Sequence, residues 1–251
     1  RGSDGMSDWL FDLGNTRLKL AALGAGGVGD VAAFAHEGGV LDPAWTAALP
    51  PRIEVAWLAS VGPAAMRASL LQVLVPRAAR VVEVRVERSM ADVRIGYAEP
   101  ARLGVDRALA MVGARAHAPG WALVIGVGTA LTVDLLDADG QHHGGSIAPS
   151  PTLMREALHA RASQLPVEGG SVIDFGVDTA DALATGCLGA ALGLVARSRE
   201  AAAARAGQAP VLLLHGGGAR TLLPHIEGVV HAPSLVMEGL ARLARQPARA
   251  G

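Results

Sequence analysis

At 251 residues and 51% hydrophobic content, the chain is long enough to bury a sizeable core, as one large domain or as two smaller ones. A net charge of -1 and an isoelectric point near 6.8 exclude a global basic field that would draw it to nucleic acid or membrane, which leaves a small molecule as the expected partner. The single cysteine, Cys187, excludes an intrachain disulfide framework and fits a reducing compartment.

No uninterrupted apolar run reaches transmembrane length, and the N-terminal stretch lacks a signal-peptide pattern, so a cytoplasmic location is expected. Arg1-Gly2-Ser3 reads as a residual expression tag, with natural numbering expected to begin at Met6. Residues 9–13, 17–23 and 31–35 then read as three consecutive short strands, forming an antiparallel meander. Strands at 53–60 and 81–86 follow, with helical stretches near 43–48 and 63–75 between and before them, which implies parallel crossover units. A helix is expected within 101–118.

The order then repeats. Residues 121–127, 130–136 and 142–147 resemble a second meander, with Asp137-Ala138-Asp139-Gly140 as a hairpin turn. Ser150-Pro151 opens a helix towards Ser163 with serine as N-cap, and Asp178 caps a long Ala/Gly-rich helix towards Arg205. Helices this small-sided pack closely, either in the core or at a subunit contact. Residues 211–214 form a strand ending in Gly216-Gly217-Gly218, and 234–245 a terminal amphipathic helix. The expected domains are 6–119 and 120–251.

Two stretches carry the chemistry. Phe11-Asp12-Leu13-Gly14-Asn15-Thr16 has an echo at Ile125-Gly126-Val127-Gly128-Thr129-Ala130; each is a strand, a glycine turn and a second strand. Such turns allow close backbone approach and present N–H groups to an anion, so the pair suggests a phosphate ligand in a cleft between the halves. Asp12 is placed either to hold a phosphate-bound Mg2+ or merely to close a local turn. Lys19 is the only lysine and lies in a strand, so no Walker-type loop exists and phosphate must be met by backbone, arginine or metal. Asp106 and Arg107 open a helix, where they serve either as dipole partners or as a base and a carboxylate-binding cation, with Tyr97 lining the pocket. Asp134 ranks below Asp12 as an acidic group near phosphate; His142-His143 reads as a solvated hairpin and His215 as a packed strand-end histidine.

The ordered motifs Asp12-Leu13-Gly14-Asn15-Thr16, Leu103-Gly104-Val105-Asp106-Arg107, Gly128-Thr129-Ala130-Leu131-Thr132-Val133-Asp134 and Gly144-Gly145-Ser146-Ile147-Ala148-Pro149 resemble those of type III pantothenate kinases. The resemblance implies an α/β fold of the actin, hexokinase and Hsp70 type: duplicated actin/ribonuclease H-like domains, each a mixed five-stranded sheet flanked by helices. It implies transfer of the ATP γ-phosphoryl group to the hydroxyl of pantothenate, the first step of coenzyme A synthesis. Asp12, Gly14, Asn15 and Thr16 would form the first phosphate loop with Mg2+, and Gly128 with Thr129 the second. Asp106 would be the general base and Arg107 the partner of the pantothenate carboxylate, with Tyr97 and Gly104 lining the pocket. Thr179 matches a position that reaches into the partner subunit's pocket, which implies a homodimer with shared sites. A monovalent cation, K+ or NH4+, is also implied, near a position where the family usually has aspartate and this chain has Gly126. Gly126 keeps open a second reading, a weakly catalytic accessory homologue that binds nucleotide or pantothenate and acts through a partner. A sugar or acyl kinase of the same fold is a third.

Overall fold

The structure, a computed structural model, describes residues 7–37 and 40–246; the expected tag and the Met6 start lie outside them. The chain forms two compact units, one built from the residues up to His117 together with those from Leu235 onward, the other from Ala118–Ser234.

In the first unit, β1 (Asp8–Leu13) is the organising strand. Its residues Leu10, Phe11 and Leu13 are fully buried, as expected for a central strand covered on both faces. β2 (Arg17–Gly24) pairs with it antiparallel, β3 (Gly27–Val28) folds back on β2 at the glycine cluster, and β4 (Ala32–Glu37) and β5 (Val40–Leu41) extend the edge. β6 (Ile53–Ser60) pairs parallel to β1 on its other side, and after α1 (Ala64–Leu74) comes β7 (Ala78–Glu83), parallel to β6. The order is therefore β5-β4-β2-β1-β6-β7, with β3 beside β2. The first sheet has seven strands where five were expected, because the short β3 and β5 add to the meander edge. The last strand also sits three residues earlier than its expected 81–86. A separate ribbon, β8 (Ser89–Met90) and β9 (Val93–Arg94), precedes α2 (Val105–Ala114).

The second unit repeats the plan with five strands. β10 (Ala122–Val127) is central and buried along its whole length; β11 (Ala130–Leu136) and β12 (His142–Pro149) form the antiparallel side. α3 (Pro151–Arg161) and α4 (Thr179–Ala206) follow, then β13 (Val211–His215), parallel to β10, the short α5 (Ala219–Leu222), and β14 (Val229–His231), parallel to β13. The order β12-β11-β10-β13-β14 is the same three-two-one-four-five arrangement as the core of the first sheet. Ser150 Oγ accepts the Leu153 N–H and Asp178 Oδ1 the Asp181 N–H, so both expected N-caps form. Among the described residues α4 is the one helix long and apolar enough to cross a membrane, by length and composition only. Its Leu188, Ala191, Val195 and Ala202 join the core over Ile125, Leu131 and Leu214.

The final helix, α6 (Leu235–Ala244), packs on α2 in the first unit, so the expected assignment of everything after 120 to one domain differs from the structure at the C-terminus. The physical reason is a glycine crossing. A Cβ at Gly113 would overlap the Leu235 carbonyl oxygen, and one at Gly239 the Leu109 carbonyl oxygen, so the two backbones touch where neither has a side chain.

Candidate active site

The antiparallel register places Asp12 directly opposite Lys19, so Lys19 Nζ stands 4.0 Å from Asp12 Oδ2. Asp12 is 7% exposed, and its carboxyl is raised from 3.8 to about 6, chiefly by burial, with Lys19 lowering it and the nearby Asp106 raising it further. The first unit thus brings Asp12 and Asp106 within electrostatic range of each other. One lysine does not compensate this buried carboxylate, which makes it a fitting ligand for a divalent cation. No group of three metal-binding side chains forms among the described residues, so an ion at Asp12 would complete its shell with water and phosphate oxygens.

The raised value has a consequence for stability. Folded Asp12 holds its proton up to about pH 6, whereas an unfolded aspartate loses it near 3.8, so the folded state binds the extra proton between those values. Stability contributed by Asp12 therefore falls as pH rises from about 4 to about 6 and is level above. Asp12→Asn removes this penalty, worth at most about 3 kcal/mol at neutral pH, so thermal melts should show the variant gaining on the wild type across that window. Parallel curves for the two proteins would rule out the assignment.

The first turn is pinned from several sides. Gly14 N–H donates to Arg17 O at 2.9 Å, the His36 ring donates to Gly14 O at 3.0 Å, and Gly62 N–H donates to Leu13 O at 3.1 Å. A Cβ on Gly62 would lie 2.8 Å from Gly14 O, so the loop after β6 can seat against the turn only as glycine. The second turn is one residue tighter: Gly128 N–H donates to Ala130 O at 2.9 Å. Both glycine N–H groups thus donate within their own hairpins, where the motif alone left them free to meet an anion. Asn15, Thr16 and Thr129 are exposed at the turn tips. A Cβ at Gly128 would meet no protein atom, so the glycine leaves open space there rather than satisfying a backbone constraint.

Asp106 lies in the first turn of α2, and Gly104 is the helix N-cap. A Cβ on Gly104 would stand 2.5 Å from Asp106 Oδ1, so the carboxylate folds back over Gly104 and a side chain there would push it out of this position. Arg107 is buried; its Nη1 donates to Tyr97 Oη at 3.1 Å and its guanidinium lies 5.8 Å from the Tyr97 ring centroid. Arg88, which sequence reasoning did not single out, donates to the carbonyls of Ile95, Tyr97 and Ala98 and so fixes the loop that carries Tyr97. An arginine seven to ten residues from its acceptors leaves no periodic signal. His36 was equally invisible, a lone histidine on β4 beside the short edge strand β5.

The second unit holds Gly128, Thr129 and Thr179, the last exposed at the start of α4. Asp134 is buried and accepts from His142 Nε2 at 3.1 Å, a core hydrogen bond across β11 and β12. His142 is therefore not in a solvated hairpin as expected: the bulge between Asp134 and Leu136 turns it inward. His143 bonds Asp137 at 2.7 Å and stacks on Trp121.

Two units, each with the same mixed strand order and each opening on a glycine turn after its central strand, define the actin-like ATPase class of fold. Solved structures with that architecture include a Campylobacter jejuni protein assigned to the Baf family of transcriptional activators (TM-score 0.61, 17% identity, 94% of this chain and 96% of that one). Another is component A of (R)-2-hydroxyglutaryl-CoA dehydratase from Acidaminococcus fermentans (TM-score 0.51, 16% identity, 96% of each chain). At these identities the likeness concerns the fold alone. Residues 9–201 match the sequence profile of type III pantothenate kinase. The type III pantothenate kinase of Stenotrophomonas maltophilia strain K279a is 53% identical over 247 residues, covering 97% of this chain and all of the relative. The chain belongs to the type III pantothenate kinase family.

Proposed function

We infer that the chain carries out the reaction for which its family is named, with ATP as phosphoryl donor and the hydroxyl of pantothenate as acceptor. The observation that carries this reading, beside family membership, is the arrangement of Asp106 and Arg107 on the start of α2 with Tyr97 from the preceding loop. A buried guanidinium held by a phenol is pre-aimed at a carboxylate, and a carboxylate one residue away can take the hydroxyl proton. The two units are the two actin-like ATPase subdomains, the first completed by the C-terminal helix. Asn15 and Thr16, at the turn that Gly14 closes, and Thr129, at the turn that Gly128 closes, are the groups placed to meet phosphates, and Asp12 would hold Mg2+, which would neutralise charge on the transferred group. In-line phosphoryl transfer needs such positioning and charge neutralisation more than covalent chemistry.

Arg107→Ala should raise KM for pantothenate about 30-fold and change kcat much less, since a carboxylate clamp contributes mainly ground-state binding. Unchanged KM in a coupled ADP-release assay would remove Arg107 from the substrate site. The same assay in sodium, potassium and ammonium tests the monovalent-cation requirement, and absence of pantothenate-dependent ADP release in all three would overturn the kinase reading in favour of the accessory homologue.

We also propose a homodimer. Phe175 and Val177 are 90% and 95% exposed beside Thr179, and an apolar groove of about 540 Å³ lined by Met154, Leu158, Leu183 and Cys187 runs between α3 and α4. Exposed apolar area of this kind fits a second copy of the chain. The composition supports no role for nucleic acid or membrane, and a cytoplasmic location fits a substrate and donor of this kind.

A further inference from the structure

Gly126, Thr132 and His215 occupy matching positions on three adjacent strands: Gly126 on β10 pairs with Thr132 on β11 and with His215 on β13. The alternate residues Ile125, Leu131, Val133 and Leu214 point into the core under α4, so this trio faces the other side of the sheet. Glycine leaves the ground between its neighbours open, and both side chains lean over it. A Cβ placed on Gly126 would stand 2.7 Å from Thr132 Oγ1 and 2.9 Å from His215 Nε2. A hydroxyl and a ring nitrogen from opposite neighbours therefore converge on one point, and a side chain at 126 would displace them.

The position on the sheet matters as much as the convergence. β10 and β13 run parallel and both end here, β10 at the Gly128-Thr129 turn and β13 at Gly216-Gly217-Gly218. Gly218 N–H donates to Val127 O at 2.9 Å, and a Cβ on Gly216 would overlap the same carbonyl, so the two turns abut. Open α/β sheets bind ligands at the carboxyl ends of parallel strands, where the strand order changes direction. β10 is that strand, with β11 laid to one side and β13 to the other. Thr132 and His215 are both half-buried, hence reachable from solvent.

We propose that Thr132 and His215, converging over the bare Gly126, form a hydrogen-bonding clamp for the phosphate chain of the nucleotide. The proposal rests on the reading of the chain as an ATP-using enzyme, and it assigns Gly126 a purpose: the residue is small so that the imidazole can lie across it. His215 is on this view a binding residue rather than packing.

Calorimetry on the full chain with Mg2+ and ATP, ADP or adenosine tests it directly. His215→Ala should weaken ATP and ADP about tenfold while leaving adenosine within about twofold, and His215→Gln, which keeps an N–H of similar reach, should recover part of the loss. Gly126→Ala retains the imidazole but pushes it aside, and should weaken ATP by a similar factor; it serves where His215→Ala fails to fold. ATP affinity within twofold of wild type in a folded His215→Ala or Gly126→Ala protein overturns the clamp, as does a loss for adenosine as large as that for ATP. Because binding is read without turnover, a wild type that binds ATP but never phosphorylates pantothenate defeats the kinase reading and not the clamp.

Discussion

Asp106→Ala lowers kcat for pantothenate-dependent ADP release by about 10³-fold, with ATP affinity close to that of the wild type. The expectation follows from where the carboxylate sits. Asp106 occupies the first turn of α2 with Oδ1 turned back over Gly104, in electrostatic range of Asp12 and next in sequence to Arg107. A group that accepts the acceptor hydroxyl's proton acts in the transition state, so its removal appears in kcat and in kcat/KM together. Asp106→Asn separates charge from shape: it keeps the packing over Gly104 but cannot take the proton, and should be as inactive as the alanine variant. Either variant retaining more than about a tenth of wild-type kcat would assign the base to another residue.

Gly239→Ala is expected to cost about 3 kcal/mol, and to lower Tm by about 6–12 °C. The methyl group would overlap the Leu109 carbonyl oxygen, and that atom is helix backbone with no rotamer to escape into. α6 must then lift from α2, the helix that carries Asp106 and Arg107 at its start, so kcat/KM should also fall at temperatures where the variant remains folded. Gly113→Ala strikes the Leu235 carbonyl from the other side and should behave alike. The double variant should cost less than the sum of the two, because both methyls push the same helix pair apart. A Tm within about 1 °C of wild type for both single variants would mean that the crossing relaxes freely.

Much of the architecture was legible because local signals and tertiary context agree. The two meanders, the caps at Ser150 and Asp178 and the hairpin at Asp137 follow from alternation, glycine turns and short polar caps, all of which act over a few residues. The placement of α6 was not legible. Its amphipathic pattern fixes a buried face, but the choice of α2 as partner depends on two glycines 126 positions apart that meet only in the fold.

The same division runs through the site. The order of the motifs around Asp12, Asp106 and Gly128 pointed to the family and nominated the candidate site residues, since short glycine-turn motifs are read directly from the chain. The tertiary structure decided what surrounds them. It buried Asp12 beside Asp106 and raised its carboxyl to about 6, spent the Gly14 and Gly128 amides within their own hairpins, and locked the Tyr97 loop with Arg88. It also withdrew Asp134 into a core pair with His142 and filled the space over Gly126 with Thr132 and His215. Burial, charge proximity and cross-strand neighbours depend on which distant residues the sheets bring side by side, and that information is absent from any single stretch of sequence.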